Sequence, residues 1–78
     1  MKILWKNSKG QIVAEVKKLQ FYTRMGLQEN WTCQVYHGKQ GYYAEFKYPS
    51  EAEKKAEELI TSLGFDDVYK EPPSENSI

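Results

Sequence analysis

The chain has 78 residues, a formal charge of zero and one cysteine, which points to one small domain and excludes an internal disulfide. A chain of this length buries roughly 60% of the surface its unfolded form exposes. A deep pocket is therefore not expected, and a homodimer would be an easy way to hide more apolar area. No run of 18 apolar residues is present, and the amino terminus reads as a strand rather than a signal peptide. With the lone cysteine this suggests the cytosol, with no membrane partner. Without an export signal, Asn30-Trp31-Thr32 reads as a chance match to a glycosylation acceptor.

The zero charge hides two opposed segments. Residues 1–50 hold eight Lys/Arg and three Glu, a balance of +5, whereas residues 51–78 hold three Lys and eight Asp/Glu, a balance of −5. Nine of the eleven aromatic residues lie in the basic segment. Such polarity points to a charged partner surface more than to chemistry.

Taken in chain order, Lys2 to Lys6 and Gln11 to Val16 alternate around Asn7-Ser8-Lys9-Gly10, the pattern of a hairpin. Facing Lys6 with Gln11 sets Trp5 against Ile12 and Ile3 against Ala14, one coherent apolar face. It also leaves Leu4 and Val13 paired on the other face. The alternation breaks at Lys17-Lys18 and resumes at Leu19 and Phe21, which suits a bulged or bent strand. A short helix over 14–22 fits the same residues, because Val16, Leu19 and Thr23 also keep helical spacing. Residues 24–30 read as a polar connection.

A second hairpin turns at Gly38-Lys39-Gln40-Gly41. That turn sets His37 opposite Tyr42 and pairs Val35 with Ala44, Cys33 with Phe46 and Trp31 with Tyr48 on a core-like face. The other face pairs Tyr36 with Tyr43, Gln34 with Glu45 and Thr32 with Lys47. Pro49-Ser50 ends the sheet, and Ser50 with Glu53 has capping-box spacing. Ala52, Ala56, Leu59, Ile60 and Leu63 then share one helical face, ending at Gly64. Glu51–Lys55 and Lys54–Glu58 are spaced as ion pairs on the outer face. Phe65, Val68 and Tyr69 return to the sheet or add a short edge strand. The expected architecture is α+β: a four-stranded antiparallel sheet of two hairpins with one C-terminal helix on one face. Residues 1–70 form the domain and 71–78 a flexible tail.

Catalysis is not expected. Cys33 and His37 lie about 13 Å apart along one strand at roughly 3.3 Å per residue, too far for a dyad. Two Cys/His residues fall short of a structural zinc site, Asp66-Asp67 lacks the alternating ligands of a calcium loop, and no phosphate-binding glycine loop occurs. No cofactor or metal is expected. The aromatic and basic set is the candidate site. Tyr36 and Tyr43 are flanked by Thr32, Gln34, His37, Lys39 and Lys47, with Lys2, Lys6, Lys17, Lys18 and Arg24 extending the surface. Aromatic rings stack on bases while Lys and Arg neutralise phosphates. The same residues also suit a sheet that merely stabilises and solubilises itself.

Trp31-x-Cys33-x-Val35-Tyr36, the Gly38-Lys39 turn, Phe46 and Ser50-Glu51-Ala52-Glu53 give residues 31–63 a local resemblance to the arm-type DNA-binding domains of phage integrases. The resemblance implies a three-stranded sheet in the major groove with a helix behind it. It would assign base or phosphate contacts to Thr32, Gln34, Tyr36, Lys39, Tyr43 and Lys47. The chain departs from that family in carrying Thr32, Gln34 and Glu45 where strand arginines or lysines are usual. The expected function is therefore a non-enzymatic binding module with nucleic acid slightly favoured. The alternative is a small protein-binding regulator or inhibitor of phage or mobile-element type, acting through the same face or the acidic helix.

Overall fold

A computed structural model describes residues 2–71. The elements are β1 (Lys2–Lys6), β2 (Ile12–Thr23), β3 (Gly26–His37), β4 (Gln40–Phe46), α1 (Pro49–Ser62) and β5 (Tyr69–Glu71). The strands form one antiparallel sheet in the order β4-β3-β2-β1-β5. The α+β class with one helix on one face stands, but the sheet has five strands. The fifth is the short edge strand after the helix: Leu4 opposes Glu71, and Trp5 opposes Lys70. Glu71 is thus part of the sheet and not of a tail. The rest of the expected tail lies outside the described residues.

Both hairpin registers differ from the expected ones by an even step, and local chemistry explains each. At Gly38 the backbone takes φ 61. Glycine adopts that conformation freely, and placed first in a two-residue turn it gives the type II′ geometry that matches strand twist. The turn is therefore Gly38-Lys39 alone, so His37 opposes Gln40, Val35 opposes Tyr42 and Cys33 opposes Ala44. In the first hairpin, the Asn7 side-chain oxygen accepts from the Lys9 and Gln11 amides at 2.9 and 3.0 Å, closing the turn. A bulge then places Lys6 opposite Ile12 but Trp5 opposite Ala14 and Ile3 opposite Val16. An even slip keeps each side chain on its face. The bulge itself lets neighbouring Val13 and Ala14 both be buried, so Val13 joins the core and does not pair with Leu4 on the far side.

Residues 14–22 are strand, paired without interruption from Ala14↔Val35 to Thr23↔Gly26. Residues 24–30 are mostly strand too. Only Arg24 and Met25 form the turn, where the Thr23 hydroxyl accepts from the Met25 amide at 3.0 Å. Since β1 reaches only Lys17 and β4 only Trp31, the stretch 18–30 projects as a two-stranded arm. It lengthens the molecule to 43 × 32 × 20 Å with a radius of gyration of 13.5 Å, against about 11 Å for a rounder chain of this size.

The core gathers Ile3, Trp5, Val13, Ala14, Val16, Cys33 and Val35 beneath Ala52, Ala56 and Ile60 of α1. Two alanines on the buried stripe let the helix lie close on β2 and β3. The helix starts one residue before the expected cap. Tyr48 holds the cap position with no side-chain bond and Pro49 follows at the first helical position, where its fixed φ suits a helix and its missing N–H is not needed. Ser50 is therefore inside the helix, and no capping box forms. At the far end Gly64 has φ 81. The Phe65 amide donates to the Ile60 carbonyl and the Gly64 amide to the Thr61 carbonyl, each at 3.2 Å, a Schellman closure. Neither i,i+4 ion pair on the helix closes among the described residues. Glu53 instead pairs with Lys70 of β5.

The hydrogen bond to Glu53 raises the Lys70 pKa above its ordinary value, opposed by desolvation, with the charges of Glu53 and Glu57 adding to the rise. A raised pKa means the folded state holds the proton more tightly. This contribution is present below the ordinary lysine value and lost as pH rises through the raised one. No helix of the structure is long and apolar enough to cross a membrane.

Trp5, only 3% exposed, bridges β2 and β5, whereas Tyr22 on the arm is 83% exposed. Trp5→Ala should cost about 3–5 kcal/mol through the cavity it leaves, and Tyr22→Ala under about 0.5 kcal/mol. Urea unfolding midpoints of the two variants at low micromolar concentration check this.

Candidate binding face

The helix covers one side of the sheet only, and strand register decides what the other side carries. Reading across it, Leu4 faces Glu15, Glu15 faces Gln34 and Gln34 faces Tyr43; one step along, Lys2 faces Lys17, Lys17 faces Thr32 and Thr32 faces Glu45. Tyr36 sits opposite Gly41, so Tyr36 and Tyr43 are diagonal neighbours and not a directly opposed pair. Gly41 leaves open space beside the Tyr36 ring, and both rings stay exposed, at 43% and 55%.

Hydrogen bonds settle these side chains along their own strands. The Tyr36 hydroxyl donates to Gln34 Oε1 at 2.8 Å and the Tyr43 hydroxyl to Glu45 Oε2 at 2.8 Å. Glu45 also accepts from Asn30 Nδ2 at 3.1 Å. Thr32, 2% exposed, donates from Oγ1 to the Lys17 carbonyl at 3.3 Å, which makes it a structural residue of the ladder more than a free contact. Lys2 approaches Glu15 at 3.4 Å and Lys6 approaches Glu71 at 3.2 Å.

The structure therefore joins Lys6, Lys17, Thr32, Gln34, Tyr36 and Tyr43 on one face and separates the other expected site residues from them. Lys18 falls on the helix side, 3.7 Å from Glu29 and with its Nζ 5.9 Å from the Trp31 ring centre. His37 shares the parity of Val35 and Cys33, and its ring meets Phe65 edge-on with centroids 5.5 Å apart. It stays exposed on the helix side of the sheet and does not flank the tyrosines. Arg24 and Lys39 cap opposite ends of the β2–β3 ladder, about 40 Å apart at roughly 3.3 Å per residue. Lys47 lies just past β4.

Two sets of residues escape a reading from sequence. One is the arm, where Leu19, Phe21, Tyr22, Met25 and Leu27 are exposed. The shift of apolar residues from even positions (Ala14, Val16) to odd ones (Leu19, Phe21) was its signal: the strand runs on and the apolar face changes sides. The other is the clamp of Glu53 on Lys70, a contact between distant elements.

Among the described residues no three His, Cys, Asp or Glu lie together as a metal site would need. A depression of about 490 Å³ bounded by Lys54, Glu57, Glu58, Thr61 and Ser62 lies on the solvent side of α1, away from the sheet. Burial raises the Cys33 thiol pKa, opposed in part by the nearby Lys55 charge, which disfavours the reactive thiolate. Cys33 should resist thiol reagents in the folded chain and react once the protein is unfolded in urea.

Donation to Glu45 also raises the Tyr43 pKa, with desolvation and the charge of the carboxylate adding to it. The neutral phenol should persist above the ordinary tyrosine value of about 10. Glu45→Gln should bring it back toward that value, as followed by the Tyr43 ring signals in an NMR pH titration.

No protein-family model matches the chain, and neither a curated protein nor a solved structure shows significant similarity to it.

Proposed function

We propose that the protein is a non-enzymatic binding module that grips another protein through the uncovered sheet face centred on Tyr36 and Tyr43. The balance of charge on that face carries this reading. Three lysines (Lys2, Lys6, Lys17) share it with three glutamates (Glu15, Glu45, Glu71), so the +5 of residues 1–50 does not gather there. Each exposed ion pair is worth only about 0–1 kcal/mol, but together they remove the positive stripe that a phosphate backbone needs. What the face offers is two exposed tyrosine rings, the half-buried Leu4 and a set of hydrogen-bonding groups. Tyrosine combines large contact area with a polar tip at small entropic cost, the chemistry enriched in protein interfaces.

Nucleic acid is the second reading. It is favoured by Lys17 and Lys47, which have no carboxylate within 4 Å among the described residues, Lys17 standing one diagonal cross-strand step from Gln34 on the same face. The resemblance of residues 31–63 to arm-type domains points the same way.

Titrating labelled DNA and RNA by fluorescence anisotropy at low and moderate salt separates the two. The protein reading expects no salt-steep binding. A steep response that Lys17→Glu with Lys47→Glu abolishes would replace it with the nucleic-acid reading. In affinity capture from the source cells, Tyr36→Ala with Tyr43→Ala should reduce recovery of the protein partner more than tenfold, since a buried aromatic anchor is worth about 2 kcal/mol.

A further inference from the structure

No helix or strand packs behind the arm among the described residues. Among the described residues no strand pairs with the outer edge of β2 beyond Lys17 or with that of β3 beyond Trp31. A two-stranded ribbon is marginal in water, and its free backbone N–H and C=O groups are a template for another strand. The usual protections are sparse on the β2 edge. Residues 18–23 read Lys-Leu-Gln-Phe-Tyr-Thr, with no proline and a single charge, and that charge is paired with Glu29. Leu19 and Phe21 are 36% and 37% exposed on one side of the ribbon and Tyr22 is 83% exposed on the other.

We infer that the arm is a homodimer contact, in which the β2 edges of two copies pair antiparallel about a two-fold axis at Gln20. Self-complementarity selects a second copy as the occupant. With the axis normal to the sheet, Leu19 faces the partner's Phe21 and Phe21 faces the partner's Leu19. On the other side Lys18 faces the partner's Tyr22. Apolar groups meet apolar groups and a cation meets an aromatic face, with no like charges directly opposed. The β3 edge does less well: centred on Gln28, it would set Leu27 against the partner's Glu29.

The length of the free edge sets the extent of this contact. The free edge runs from Lys18, the first residue past the last β1 pairing, to the turn at Arg24, and the two-fold pairs Lys18 through Tyr22 with their mates. A stable contact hides about 800 Å² per partner. One aromatic side chain supplies at most roughly 150–250 Å², and with Leu19 and Phe21 only 36% and 37% exposed the contact is smaller than that stable size, a weak pairing carried by backbone hydrogen bonds that forms at high micromolar concentration. The contact is isologous and closes at two copies. It is separate from the Tyr36–Tyr43 face and stands whether or not that face binds a protein.

Sedimentation equilibrium of the full chain at high micromolar concentration tests it. The expected mass is twice the 9.1 kDa of one chain, falling to the single-chain mass in Leu19→Glu with Phe21→Glu while far-ultraviolet circular dichroism is unchanged. A second variant reads the register without touching the apolar residues. In Gln20→Cys the new thiol lies opposite its own symmetry mate, within the Cα separation of 4.4–6.8 Å that a disulfide spans. Mild oxidation should link it into dimers at least tenfold faster than Met25→Cys, whose mates would be about 33 Å apart at roughly 3.3 Å per residue. Cys33 is fully buried and does not compete. A single-chain mass for the natural sequence, a dimer that survives the double glutamate variant, or equal linking of the two cysteine variants would each overturn the inference.

Discussion

The unbroken pairing of β2 with β3 is the constraint on which the rest of the molecule depends. From Ala14↔Val35 to Thr23↔Gly26 no residue is skipped, so the facing of every side chain along these two strands follows from one register. One half of the ladder sits between β1 and β4 and supports the helix. The other half runs past both neighbours and has only its own cross-strand bonds. A core at one end and an exposed ribbon at the other follow from two strands of 12 residues beside partners of 5 and 7.

Helix length sets how much of that ladder is sheltered. A helix of 14 residues rises about 21 Å at roughly 1.5 Å per residue, and its apolar stripe meets Val16, Cys33 and Val35 rather than the arm. Past Val16 the apolar residues change sides. Leu19 and Phe21 take the parity of the uncovered face, while Lys18 and Gln20 take that of the helix side. The strand thus stops supplying a core where the helix stops covering it. Chain and fold agree at that point, which is why the arm does not fold back.

Charge is also distributed by register more than by segment. The basic excess of residues 1–50 divides among two faces, three turns and the end of β4. Glu15, Glu29 and Glu71 each lie close to a lysine. Nearest-neighbour pairing of this kind gives a face that is polar and close to neutral. Two tyrosines then provide its largest exposed side chains, and their hydroxyls are held by acceptors two residues away on the same strand.

Sequence alone determined the kinds of element and the allocation of faces. Alternation is local and survives an even slip, so Ile3, Trp5, Val16, Cys33 and Val35 were legible as core and Tyr36 and Tyr43 as surface. Helical spacing marked Ala52, Ala56 and Ile60, and Gly64 marked the helix end. The tertiary structure alone decided which residues stand opposite one another, because a positive-φ glycine at 38 and a bulge near Trp5 each move a register by an amount that composition does not encode. It also decided how far β2 and β3 outrun their neighbours, which depends on where β1 and β4 stop. Finally, it divided the basic residues, placing Lys18 and His37 beside Trp31 and Phe65, since a side chain's face is known only once its whole strand is in register.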